Sequence, residues 1–197
     1  YFLYRTKFIK IQSENKLKLI ESIIGKNTNT WVNTPYRAMD WYNKIKSEMT
    51  INGNFNCLIK GGKTFGLACN AIHYLDLLVW FSGETITEIK TDKLDNEWYQ
   101  SKRIGFWDIF GTMEILFSKG SKAFLEVGIW EPSKITIDIK TTGEEWMIQE
   151  SDGIATRNDG FILKGRDEYQ SEMTAPLVES ILLTGTCLLP SLHESAA

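Results

Sequence analysis

A chain of 197 residues, 43% hydrophobic and 24% charged, has the make-up of a folded domain with its own core. Its net charge of −3 argues against nucleic acid and against an acidic membrane surface as partners. The 3 cysteines show no CxxC spacing, no signal peptide opens the chain and no apolar run reaches a membrane span, so the chain reads as a cytoplasmic protein with reduced thiols.

The first predicted element is a helix over 13–24. Ser13 is its N-cap, Leu17, Ile20, Ile23 and Ile24 form its apolar stripe, and Gly25 stops it. "NTWVN" reads as a short strand, so residues 13–34 look like the closing half of an α/β unit. Pro35 sits where a helix begins, and "YRAMDWYNKIKSEM" continues it with Met39, Tyr42 and Ile45 on one side. "NFNCLIKGG" is a strand ended by Gly61 and Gly62. A helix then runs from Gly66 to Phe81, with Leu67, Ile72, Leu75, Leu78 and Val79 toward the core and a stop at Gly83. Beyond it the apolar period falls from 3.6 to 2. "TITEIKTD", "FGTMEILFS", "SKAFLEVGIW", "KITIDIKTT" and "EWMIQES" read as a meander of antiparallel strands, each with one polar face. "SEMTAPLVESILLTG" is a last long helix. "SLHESAA" stops just after a helix start, in which Ser191 and Glu194 have capping-box spacing. The chain begins at Tyr1, so both ends read as cut from a longer protein. The fold class expected is α+β: a large, mostly antiparallel open sheet with helices packed on one face, plus the remnant αβ unit.

The chemistry-bearing residues converge on the helix after Gly66. The chain has 2 histidines, and His73 sits on this apolar helix with Cys69, Asn70 and Asp76 within one turn. A satisfied core imidazole, bonded to a backbone carbonyl or to Asp76, is the structural reading. General acid/base work is the functional one, because imidazole titrates nearest neutrality. A metal would find Cys69, His73 and Asp76, but no second cluster completes the set, so no metal site is assigned. "GGKTFG" lacks the spacing of a phosphate-binding loop and reads as a strand-end turn. "SKRIGFWD" places Lys102 and Arg103 in a loop that an anionic sugar or plain solvent would suit. Arg37, near a helix start where cations are disfavoured, is held there by a carboxylate partner or a substrate, or is a plain surface arginine.

"WVNTPYRAMDWYNKIK", "GLACNAIHYLDLLVWFSGE", "GFWDIFGTMEILFSKGS" and "LVESILLTGTCLLPSLHESA", in that order, resemble the C-terminal part of the glucose–fructose oxidoreductase and inositol dehydrogenase (Gfo/Idh/MocA) family. The helix with His73 three residues before Asp76 and four before a Leu-Leu pair is the most specific element. The resemblance implies a two-domain parent whose Rossmann domain binds NAD or NADP and carries a catalytic lysine. Neither the glycine fingerprint nor that lysine motif occurs here, so no cofactor is expected on this fragment, which should be inactive alone. Residues 1–34 would be the remnant of the cofactor domain, and residues 35–197 the substrate-binding and oligomerisation domain. The resemblance further implies a sugar or nucleotide-sugar substrate, possible use in surface-polysaccharide synthesis, and a homodimer or tetramer through the sheet face. His73 would be catalytic, and Asn70, Arg37, Asp76, Lys102 and Arg103 substrate-binding. Cys69 stands where many members have Asp. That departure supports the alternative, a non-enzymatic dimerisation or ligand-binding module that kept the scaffold and lost the chemistry.

Overall fold

In the computed structural model, residues 18–23, 29–62, 64–101, 104–128 and 134–196 are described. Ser13, Leu17, Ile24 and Gly25 of the first predicted helix lie outside them. The chain divides into two compact units, Tyr1–Asn33 with Leu189–Ala197, and Thr34–Leu188. In the first, residues 18–23 are helical (α1). Trp31 bridges antiparallel to Ser191, and the Leu192 amide donates to Thr30. The Ser191–Glu194 capping box forms as expected. Ser191 Oγ accepts from the Glu194 amide at 3.1 Å, and the Glu194 carboxylate accepts from the Ser191 amide at 2.7 Å.

The second unit holds the sheet. Its strands are β1 (Asn56–Gly61), β2 (Ile86–Leu94), β5 (Gly111–Phe117), β6 (Lys122–Val127), β7 (Thr136–Lys140), β8 (Glu145–Gln149), β9 (Ile154–Arg157) and β10 (Ile162–Lys164). A separate two-stranded hairpin pairs β3 (Tyr99–Gln100) with β4 (Trp107–Asp108). The sheet order is β10-β9-β8-β7-β1-β6-β5-β2. The α+β class holds, but the strands after the His73 helix are not a simple meander. β1 enters between β6 and β7, parallel to β6 and antiparallel to β7. Local alternation fixes which face a residue takes and says nothing of which strand lies beside it.

One face of the sheet is the core. Cys57 and Ile59, Ile115 and Phe117, Ala123 and Leu125, Ile137 and Ile139, and Trp146 and Ile148 alternate inward. Helix α2 (Asp40–Glu48) buries Trp41, Tyr42 and Ile45, and helix α4 (Gln170–Thr184) buries Met173 and Leu177. Pro35–Ala38 forms a separate 3-10 turn rather than the start of α2, because Met39 between them is extended (φ −79°, ψ 129°) and buried.

Helix α3 (Leu67–Ser82) ends at Gly83, whose φ of 65° is the left-handed cap that glycine adopts without penalty. Its buried face differs from the expected one. Leu67 and Leu78 are inside, but so are Ala71, Tyr74, Asp76, Leu77 and Phe81, while Ile72 is 40% exposed. The face is turned because Tyr74 and Asp76 bring polar tips whose partners wait inside. Aliphatic character alone cannot reveal that.

Candidate functional site

The site begins at the first turn of α3. The N-cap residue is Gly66, and no side chain of its own caps the helix. The cap arrives from β4 instead: Asp108 Oδ1 accepts from the Ala68 amide at 2.8 Å and from the Ile109 amide at 3.1 Å. A Cβ at residue 66 would lie 1.7 Å from the Asp108 carboxylate, so only glycine admits this approach. The helix N-terminus, ordinarily an anion site, is therefore already occupied by a buried carboxylate.

Beside this turn lies a hollow of about 590 Å³. It is lined by Thr64, Gly66, Cys69, Asn70 and His73 on one side and Gln100, Ser101, Phe106, Asp108 and Phe110 on the other. His73 is half-buried, and its Nδ1 is buried with no hydrogen-bond partner among the described residues. Burial lowers the imidazole pKa below its usual value, and the Asp76 carboxylate opposes that shift. The ring is thus neutral at pH 7. Asn70 Nδ2 donates back to the Gly66 carbonyl at 3.0 Å, while Cys69 is exposed at the same hollow. None of the three cysteines forms a disulfide.

Arg37 and Asp76 meet each other. Arg37 Nε donates to Asp76 Oδ2 at 2.9 Å, and its second arm donates to Asp76 Oδ1, a bidentate ion pair. The carboxylate partner that Arg37 called for is Asp76, and neither residue is among those lining the hollow. Lys102 and Arg103 lie outside the described residues. No group of three or more His, Cys, Asp or Glu side chains among the described residues could hold a metal. Nor is any helix among them long and apolar enough to cross a membrane.

A buried polar cluster adjoins this arrangement and escaped the reading of the sequence. Glu150, 6% exposed, follows β8. It accepts from the Tyr42 hydroxyl through Oε1 and from the Tyr74 hydroxyl through Oε2 at 2.8 Å. Tyr36 in turn donates to the Tyr74 hydroxyl at 2.6 Å. Burial pushes the Glu150 carboxyl up to about 7, despite the lowering effect of the tyrosine hydroxyls. The signal was present in the alternation: Trp146, Ile148 and Glu150 share one inward phase. Asp108, inside "GFWDIFG", had no comparable signal.

No protein-family model and no curated protein matches the sequence. Solved structures match the fold. A protein classed as an NADPH-dependent oxidoreductase from Desulfitobacterium hafniense superposes with a TM-score of 0.65 at 11% identity, covering 92% of this chain and 63% of its own. UDP-N-acetylglucosamine 3-dehydrogenase GnnA from Acidithiobacillus ferrooxidans gives 0.61 at 10% identity, covering 93% and 62%. The super-repressor mutant of Gal80p from Saccharomyces cerevisiae gives 0.60 at 12% identity, covering 86% and 54%. The chain spans only part of each of these proteins. Over that span it has their fold, an α+β domain built on one large, mostly antiparallel sheet.

Proposed function

We propose that the chain is the substrate-binding and dimerisation domain of a cytoplasmic, nicotinamide-dependent sugar or nucleotide-sugar oxidoreductase, whose cofactor-binding domain includes residues 1–34. The observation that carries this reading is His73, neutral and with an unpartnered buried nitrogen, at a hollow rich in uncharged hydrogen-bonding groups. Thr64, Asn70, Gln100 and Ser101 suit the hydroxyls of a sugar, and the rings of Phe106 and Phe110 suit its C–H faces.

The first turn of α3 is a poor seat for the phosphates of a dinucleotide. The helix N-terminus at the hollow already carries the Asp108 carboxylate, which would repel them. A nicotinamide held by the cofactor domain of the parent enzyme would supply the hydride chemistry. Alcohol oxidation also releases a proton, and in this reading the neutral His73 imidazole accepts it. Arg37 and Asp76, bonded to each other, act by holding the segment before α2 against α3.

The test is His73→Ala in the parent oxidoreductase, assayed with sugars and nucleotide sugars and with both NAD and NADP. Turnover falls at least about 100-fold, the usual scale of an acid/base contribution, with an unchanged circular dichroism spectrum. Undiminished turnover overturns the assignment. A second reading rests on Cys69 and on the Gal80p super-repressor, whose fold this chain shares. In that reading the hollow binds a small ligand without turning it over. Sugar binding by calorimetry, with no turnover by the wild-type parent at any cofactor, favours it.

A further inference from the structure

We infer that Glu150 is a positioning residue for His73, acting through the hydroxyl chain of Tyr74 and Tyr36; this rests on the proposed role of His73. Three elements converge on one buried carboxylate: Tyr42 from α2, Tyr74 from α3 and, through Tyr74, Tyr36 from the 3-10 turn. The Tyr36 ring stands edge-on to the imidazole, with centroids 6.4 Å apart and planes at 88°. It also packs on the Tyr42 and Tyr74 rings at 4.9 and 5.0 Å. Tyr36 thus stands between the two groups: its ring is edge-on to the imidazole, and its hydroxyl is tied through Tyr74 to the carboxylate.

The chain of hydroxyls has a direction. With Glu150 ionised, Tyr36 donates to Tyr74, and Tyr74 and Tyr42 donate to the carboxylate. A protonated Glu150 carries a donor of its own. If that proton goes to Tyr74, the Tyr74 hydroxyl turns to Tyr36, and the Tyr36 hydroxyl loses its acceptor and must turn elsewhere. The arrangement beside His73 therefore depends on the state of a carboxyl that titrates near neutrality. Besides the three tyrosines, Asp167 faces this carboxyl and favours its protonated form. Around His73 the other titratable groups are Asp76, which favours the imidazolium, and Cys69 and Asp108 at the hollow.

The experiment is a proton–carbon NMR titration of the histidine Cε1–H groups in the purified chain from pH 5 to 9. The chain has 2 histidines, and His193 lies in the other compact unit, so it serves as the internal reference. Glu150→Gln shifts the His73 midpoint by about half a unit, the scale of a modest change in hydrogen bonding, and leaves His193 in place. Tyr36→Phe, which keeps the ring and removes only the hydroxyl, produces a shift of the same kind and serves if the glutamine variant does not fold. A His73 midpoint unmoved in a folded variant overturns the inference, even if that variant is less stable. The reading is separable from the enzymatic one: unaltered turnover in His73→Ala defeats the function while leaving the coupling in place.

Discussion

At the scale of single residues, Arg37 and Asp76 form a bidentate ion pair. The two side chains are 13% and 7% exposed, so the pair is largely buried. Asp76→Ala removes both hydrogen bonds of this pair from the Arg37 guanidinium and costs about 3 kcal/mol by urea denaturation. Arg37→Lys recovers little, because an ammonium cannot reproduce the two-pronged contact. This pair also shows what could be read from residue types alone. An arginine near a helix start announced a missing carboxylate, but helical spacing put Asp76 beside His73, and the partner across the fold stayed hidden. His73 at an open hollow was legible as an oddity of composition. Asp108 was not, because a lone carboxylate among apolar neighbours looks like any loop residue until the helix it caps is in place.

At the scale of elements, α3 owes its first turn to a residue 40 positions away. Asp108→Ala removes the cap and costs about 1 kcal/mol, and Gly66→Ala drives the same carboxylate out and costs a similar amount. In the double variant the losses do not add, since the second change finds the cap already gone; denaturation of the four chains in a mutant cycle measures this. Element boundaries were readable where local rules dominate: Gly83 and Gly185 end their helices, and the period-two strands fall where alternation put them. The 3-10 break at Met39, the β3–β4 hairpin and the short strands β9 and β10 were not, because tertiary packing rather than repeating pattern creates them.

At the scale of the whole molecule, the buried carboxyl of Glu150 sets a pH dependence. Its pKa rises from an ordinary 4.5 to about 7 on folding. Between those values the folded chain keeps a proton that the unfolded chain has released. This contribution to stability is therefore full below the unfolded value and is lost as pH rises through the folded one. Asp167, also raised by burial, acts in the same direction. Glu150→Gln flattens the fall in urea midpoint between pH 5 and pH 7. The outer face of the sheet is the one proposed for dimerisation. Leu58, Phe124 and Met147 line a shallow hollow of about 410 Å³ there, and Met147 is 48% exposed. Cross-strand pairs Lys60–Glu126 and Lys140–Glu145 lie on the same face. If two copies meet on this face as proposed, Phe124→Asp separates them, and light scattering reports the monomer mass. The placement of β1 has a different consequence. It is the single seam between one ribbon, β2-β5-β6, and another, β7-β8-β9-β10. One edge of Asn56–Gly61 stays bare until the chain has been made as far as Val127 and the other until Lys140, so assembly waits on a late arrival.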